Sequence, residues 1–156
     1  MRRKLERWRA LPGNERWLLL RLAVLLPAMG AALRCLGVRR TFDLLRGEVA
    51  SAPSTVPLAA QATAARLARL IDIASRHGPY NATCLRRSLV LWWLLRRRGL
   101  PAALRIGVAK AEEQMRAHAW VELAGRVVND RAAVAADYAV YEALDRHLPR
   151  LDARVR

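Results

Sequence analysis

Only two cysteines, Cys35 and Cys84, occur among the 156 residues of the chain. Two are too few for the disulfide framework of a small secreted domain or for a four-cysteine zinc site. Lysine is equally rare, with only Lys4 and Lys110, so the net charge of +15 comes from arginine. The arginines are spread along the chain without clustered base-reading side chains, which argues against a nucleic-acid partner and favours a compositional origin.

A long uncharged apolar run is also missing. The most apolar region, residues 17–38, is interrupted by Arg21 and Arg34. The uncharged stretch between them is shorter than the roughly 20 residues that cross a bilayer. The charged segment before this region contains acidic residues, which signal peptides seldom carry. We therefore expect a cytoplasmic protein in which this region is a helix packed on the domain and kinked at Pro27. Peripheral membrane contact through Trp8, Trp17 and the arginines is the alternative.

The order of apolar patterns predicts an α+β fold. A small, proline-bearing segment at residues 51–57 separates an N-terminal helical extension with its linker, residues 1–57, from a domain over residues 58–156. Helical spacing predicts helices over residues 41–50 (capped by Thr41), 58–76 and 81–98, and again in the tail over 132–148. Alternating residues predict strands over 103–109, 117–122 and 126–130, with a loop over 110–116.

The helix predicted over residues 81–98 is the most strongly marked element. Asn81 is a suitable N-cap, arginines end the helix where its dipole favours cations, and Gly99 stops it. Apolar residues almost all round predict a central, buried helix. Cys84 would lie in the first turn, where free backbone N–H groups and the helix dipole stabilise a thiolate. This position favours a nucleophilic cysteine.

His118 and Asp130 fall on two consecutive predicted strands, and the turn between the strands decides whether they face each other. A three-residue loop over residues 123–125 sets His118 opposite Asp130, and Gly125 suits the last position of such a loop. A two-residue loop would turn the aspartate away and force Ala124 to a positive φ angle, which costs energy. The sequence therefore predicts the three-residue loop and a His–Asp pair.

The same pairing sets Glu122 opposite Arg126 as a cross-strand charge pair. An aspartate bonded to one imidazole nitrogen fixes the tautomer and leaves the other nitrogen to act on a thiol. Trp120 shares the face of the histidine and would shield the site from water. Cys35 has no comparable surroundings and is expected to be a small buried apolar residue.

Several motifs follow one another along the chain. A Cys-x-x-x-Ser helix start at residues 84–88 is followed by His-Ala-Trp-Val-Glu at 118–122 and by Gly-Arg-Val-Val-Asn-Asp at 125–130. Together with residues 94–100 and 107–108, they resemble the transglutaminase-like cysteine peptidases of lasso-peptide biosynthesis, the leader peptidases of microcin processing. The resemblance implies a papain/transglutaminase-like core: a central buried helix with the cysteine, packed on a small antiparallel sheet with the histidine and aspartate.

The resemblance also implies an activity, the removal of the leader from a ribosomally made precursor peptide. Cys84 would be the nucleophile that forms an acyl-enzyme, His118 the general base and acid, and Asp130 the orienting carboxylate. The backbone N–H of the cysteine would donate to the oxyanion, with Asn81 as a candidate second donor and Trp120 beside the substrate. The freed core amine would then be used by a separate lasso cyclase.

Partners follow from the same resemblance. Relatives that recognise the leader themselves carry a strand-containing module, whereas residues 1–57 show no convincing strand. The resemblance therefore implies a separate leader-recognition protein. No cofactor is implied, and His77 and His147 lack the spacing of metal ligands. Two alternatives stay open: a peptide-binding or membrane-peripheral interaction protein without catalysis, and an acyltransferase of the transglutaminase type.

Overall fold

The computed structural model describes residues 12–46, 56–77, 82–111 and 114–141. Three helices come first: α1 (Gly13–Arg46), α2 (Leu58–His77) and α3 (Cys84–Arg96). They are followed by β1 (Ala102–Ala111), β2 (Gln114–Leu123), β3 (Arg126–Val127), α4 (Val134–Asp137) and β4 (Ala139–Tyr141). The strands form one antiparallel sheet in the order β3-β2-β1-β4. The predicted α+β fold is confirmed.

Helix α3 is the centre of the molecule. It packs against α1 and α2 on one side and against β1 and β2 on the other. Trp92 of α3 is fully buried and stacks on Phe42 of α1 with 4.7 Å between ring centroids. Burying large apolar side chains of this kind contributes about 1.5–3 kcal/mol each. The core therefore fixes the position of α3 relative to the sheet.

The N-terminal cap of α3 differs from the sequence prediction, whereas its C-terminal end agrees with it. Thr83, rather than Asn81, caps the N-terminus, because its hydroxyl accepts a hydrogen bond from the N–H of Arg86. Asn81 itself lies outside the described residues. Cys84 is consequently the first residue of the helix. At the other end the backbone turns at Gly99, whose φ of 70° needs glycine, as predicted.

Helix α1 contains a break that the sequence did not reveal. It continues through Pro27 and is interrupted at Gly37, where φ is 76° and ψ is 170°. The helix predicted to begin at Thr41 is wrong in its start, because the Thr41 hydroxyl donates to the Gly37 carbonyl from inside the following helical segment. Most of the predicted linker and the tail from residue 142 lie outside the described residues. The boundary at residue 57 stays a prediction.

Among the described helices, α1 alone is long and apolar enough to cross a membrane by length and composition. The uncharged stretch alone is too short to cross a bilayer, but an 18-residue stretch of α1 with no more than two charged residues is apolar enough. The protein itself buries 28% of that stretch.

The sheet differs from the sequence expectations in three places. The predicted loop over 110–116 is wrong, because β1 and β2 extend to the pair Ala111–Gln114. The predicted three-residue turn is also wrong. Leu123 pairs with Arg126, so the turn has two residues, and Ala124 adopts a φ of 49°. Finally, residues 139–141, predicted to be helical, form the edge strand β4 on β1.

Candidate active site

The structure brings His118 and Asp130 into direct contact. Nε2 of His118 lies 2.6 Å from Oδ2 of Asp130, and both side chains are partly exposed. This short distance is typical of a hydrogen bond to a charged partner. Nδ1 is thereby left as the ring nitrogen that can exchange a proton with another group.

The contact forms although the turn is not the one predicted. In the observed register a straight continuation of β3 would set Asp130 opposite Ala119 instead of His118. Strand β3 ends at Val127, however, and residues 128–130 form a bend. The bend frees Asp130 from the alternation of the strand, and its carboxylate reaches the imidazole.

The side chain of Asn129 makes hydrogen bonds on both sides of this bend. Its Oδ1 accepts the N–H of Val121 at 2.8 Å, a group that pairs with backbone in an uninterrupted sheet. Its Nδ2 donates to Oγ of Ser88, also at 2.8 Å, and Ser88 in turn donates to the carbonyl of Ala119. Ser88 is fully buried. One side chain therefore ties the bend that carries Asp130 to both α3 and β2.

The surroundings of Asp130 keep its carboxyl group ionised. Partial burial raises the pKa of Asp130, but the hydrogen bonds from His118 and from the backbone N–H of Arg131, with the charges of both residues, outweigh it. The pKa of Asp130 therefore lies below its ordinary value. An ionised carboxylate accepts the proton of Nε2–H and so fixes the imidazole tautomer.

Two aromatic rings enclose the imidazole. Trp120 stacks on His118 with 6.3 Å between centroids, and Tyr138 stacks at 5.3 Å. Gly107 makes this packing possible, because a Cβ at that position would lie 2.6 Å from Cβ of Tyr138. The sequence indicated the tryptophan but missed Tyr138, since a single tyrosine in a predicted helix gave no signal of a contact with the sheet.

Glu122 holds the side chain of Trp120 in place through a hydrogen bond. Its Oε1 accepts the indole N–H of Trp120 at 3.0 Å, and its Oε2 pairs with Arg105 at 3.0 Å. The predicted pair with Arg126 is wrong, because the two-residue turn sets Val127 opposite Glu122. The carboxylate thus supports the wall of the site instead of the turn.

Cys84 lies at the start of α3, in partly buried surroundings. Ser88 follows it by four residues, so both side chains project from one face of the helix. Because Ser88 bonds the backbone next to His118, this face meets β2 at the histidine. Cys35, in contrast, is exposed, and the expectation that it is buried is wrong. In the part of the chain that the structure describes, no group of three potential ligands could hold a metal ion.

An open cleft of about 490 Å³ lies beside this face of α3. Arg87 and Leu91 line it from α3, Asp72 lines it from α2, and residues 128–130 close its end. Arg87 pairs with Asp72 at 3.2 Å, so the wall is polar as well as apolar. The cleft therefore reaches Asp130, although neither Cys84 nor His118 lines it.

A family model described as the transglutaminase-like superfamily matches residues 25–143, more than half of the chain. The chain belongs to this superfamily. No curated protein and no solved structure gives a significant match. Transglutaminase-like domains typically depend on a catalytic cysteine, and the superfamily includes cysteine peptidases and acyltransferases. The matched region contains α2, α3 and all four strands.

In this transglutaminase-like domain the His118–Asp130 pair can transfer protons, and the start of α3 at Cys84 offers backbone N–H groups. The first backbone N–H groups of a helix have no intrahelical acceptor. They can donate to an oxyanion or stabilise a thiolate. Thr83 uses the N–H groups of Arg86 and Arg87, which leaves those of Cys84 and Leu85 for this purpose. The arrangement suits acyl transfer through a thiol.

Proposed function

We propose that this transglutaminase-like protein is a cysteine peptidase that removes the leader from a ribosomally made lasso-peptide precursor. The observation that carries the proposal is the His118–Asp130 pair, which lies beside the helix that begins with Cys84. The match to a superfamily that includes cysteine peptidases supports it. The motif resemblance described above points to the lasso-peptide branch.

The proposed reaction begins with proton transfer from the Cys84 thiol to Nδ1 of His118. The thiolate attacks the carbonyl carbon of the last leader residue, and the N–H of Cys84 donates to the oxyanion that forms. The C–N bond then breaks, and His118 returns the proton to the departing core amine. The leader is left as a thioester on the enzyme.

Hydrolysis completes the cycle. His118 takes a proton from water, the hydroxide attacks the thioester carbonyl, and the leader leaves with a free carboxylate as the thiol is restored. Asp130 stays ionised throughout and stabilises the imidazolium formed in each half-reaction. Trp120 acts through His118, because its side chain is fully buried beneath the imidazole. No cofactor takes part in these steps.

The partners belong to the same proposal. A separate recognition protein delivers the leader, and a lasso cyclase consumes the freed core amine in forming a macrolactam. The cleft that ends at Asp130 is the place for the peptide segment next to the scissile bond. Asn81 is retained as a candidate second oxyanion donor. The reaction is placed in the cytoplasm, where the precursor is made.

The decisive experiment compares two cysteine variants of the full-length protein. Precursor peptide and recognition protein are supplied, and the products are weighed by mass spectrometry. Cys84→Ala should lower the cleavage rate by about 10⁴-fold or more, as removal of a catalytic nucleophile does. Cys35→Ala, which removes an exposed thiol, should leave the rate unchanged. Undiminished cleavage by Cys84→Ala would overturn the proposal.

An acyltransferase is the second candidate, because the superfamily contains such enzymes and the same pair can activate an amine instead of water. The product masses separate the two activities. Hydrolysis yields two fragments whose masses sum to the precursor plus one water. Transfer yields a product enlarged by the amine acceptor, with loss of the leaving group. If the wild-type protein gives neither product, the result favours an interaction protein without catalysis.

A further inference from the structure

Helix α1 carries a stripe of apolar residues that nothing in the described chain covers. The stripe consists of Trp17, Leu20, Val24, Ala28, Ala31 and Cys35, and we call it the outer face of α1. All six residues are exposed, with Trp17 at 58%, Leu20 at 51% and Val24 at 68%. Their spacing of three or four residues places them on one side of the helix.

The opposite side of the same helix lies in the protein core. Leu22, Leu26 and Met29 are buried there against the rest of the domain. A helix that is apolar on two opposite sides is normally covered on both, either in a protein core or in lipid. Here the domain covers one side only. The exposed apolar stripe therefore marks a surface for a partner.

Positive charge borders the outer face. The guanidinium of Arg21 lies over the ring of Trp17 at 4.9 Å. Arg16 and Arg34 lie on the other edge by helical periodicity, and Arg34 is exposed. The acidic residue of this region, Glu15, is buried and paired with Arg66 at 2.8 Å. The face thus combines exposed apolar side chains with a cationic border, and the chain as a whole carries a net charge of +15.

From these features we infer that the outer face of α1 lies in the interfacial layer of an anionic lipid membrane. Tryptophan and leucine on one face with arginine along its edges are typical of helices that lie in the membrane plane. From Trp17 to Cys35 the stripe is about 27 Å long at 1.5 Å per residue. Because Leu22, Leu26 and Met29 are held in the core, the helix lies along the membrane surface and does not cross it.

This placement is independent of the proposed peptidase activity, because it involves none of the residues assigned to the reaction. Apolar burial supplies the attachment, and the arginines add attraction to anionic headgroups that salt weakens. The peptidase core, on the other side of α1, stays in water. A precursor would therefore be processed at the membrane surface without α1 crossing the bilayer.

Vesicle flotation tests the inference with the full-length protein. Vesicles of phosphatidylcholine with phosphatidylglycerol are compared with vesicles of phosphatidylcholine alone. We expect the protein to float with the anionic vesicles and to bind them more weakly at high salt. The combined variant Trp17→Ser, Leu20→Ser and Val24→Ser should lower binding at least tenfold, or about 1.4 kcal/mol, because it removes the apolar contact.

A matched variant controls for the general loss of apolar surface. Leu58→Ser with Met115→Ser changes two exposed apolar residues outside the outer face, and its binding should stay within twofold of wild type. Far-UV circular dichroism and thermal unfolding of both variants show that each is folded. If the wild type does not float, or if the triple and control variants float alike, the inference is wrong.

Cys35 supplies an internal reporter, because Cys84→Ala leaves it as the sole thiol. A polarity-sensitive fluorophore on Cys35 should shift towards the emission of an apolar medium when anionic vesicles are added. The same label on Met115→Cys, in a chain with both natural cysteines replaced, should not shift. A Cys35 label already in apolar surroundings without lipid, or a dimer abolished by the triple variant, would assign the face to the protein itself and overturn the inference.

Discussion

Oδ2 of Asp130 lies 2.6 Å from Nε2 of His118, although the strand pairing that leads to the aspartate ends three residues earlier, at Val127. The contact is therefore made by a bend and not by the ladder of the sheet. Asn129, within the bend, replaces backbone pairing with its side-chain amide. The carboxylate and the amide have separate tasks, which different substitutions can distinguish.

Asp130→Asn tests the orienting role of the carboxylate. The amide keeps the shape but cannot hold the imidazole in the same tautomer or stabilise its charged form. The rate of precursor cleavage should fall by about 10²–10⁴-fold, with a much smaller change in KM. Steady-state kinetics measure both values. Equal activity of Asp130→Asn and wild type would remove the carboxylate from the mechanism.

The same variant should show a characteristic dependence of stability on pH. The fold lowers the pKa of Asp130, so the ionised carboxylate stabilises the folded state above its unfolded pKa, and this contribution is lost as pH falls through the folded pKa. Asp130→Asn should therefore be less stable than wild type at pH 7. The difference should shrink steadily below about pH 4. Urea unfolding across this range measures it, and a constant difference would contradict the linkage.

Asn129→Ala tests whether the bend positions Asp130. The variant leaves Val121 N–H and Ser88 Oγ without their partner, which should lower the free energy of unfolding by about 1–3 kcal/mol. It should also lower kcat for precursor cleavage with little change in KM, because the aspartate no longer holds His118. Leu22→Ala is the matched control: it destabilises the distant core by about 2–5 kcal/mol.

That control separates positioning from stability. If Leu22→Ala leaves kcat unchanged and Asn129→Ala lowers it, Asn129 is a positioning residue. If neither variant changes kcat, Asn129 only stabilises the fold. Ser88→Thr, which keeps the hydroxyl that accepts from Asn129, should preserve the wild-type kcat. Ser88→Ala, which removes that hydroxyl, should lower kcat as Asn129→Ala does.

Ala124→Asn should stabilise the protein. Ala124 has a φ of 49° in a two-residue turn, where Asn followed by Gly125 is the preferred pair. We expect the free energy of unfolding to rise by about 0.5–1 kcal/mol, because asparagine tolerates positive φ better than alanine does. Ala124→Val, with a branched side chain, should have the opposite effect. Urea unfolding compares the three proteins, and a destabilised Ala124→Asn would contradict the strain assigned to this turn.

The helix with the strongest sequence pattern, α3, was predicted correctly as an element. Apolar residues on nearly all sides identified α3 as the central helix, and Gly99 identified its end. Asn81 was predicted as its cap because asparagine is a preferred capping residue, whereas Thr83, a weaker capping type, occupies the cap position in the structure. Strand β4 was missed since three residues are too few to show a period.

The His–Asp pair was predicted for a reason that the structure does not support. A three-residue turn avoids a positive φ at Ala124 and requires regular pairing as far as Asp130, and neither feature is present. In the structure Ala124 adopts the positive φ and β3 ends at Val127. The side chain of Asn129 then accepts the hydrogen bond from the N–H of Val121. This solution depends on Ser88, 41 residues away in the sequence, so local turn chemistry could not reveal it. Tyr138 was hidden for a similar reason, since its contact depends on the space left at Gly107.

Tyr138 stands immediately before β4, and three residue pairs hold that strand against β1. Its ring shields one side of His118. A polypeptide that displaced β4 from the sheet margin would carry the phenol away and admit solvent to the imidazole. Occupancy of that margin and hydration of the proton-transfer pair are therefore coupled through the Tyr138 ring.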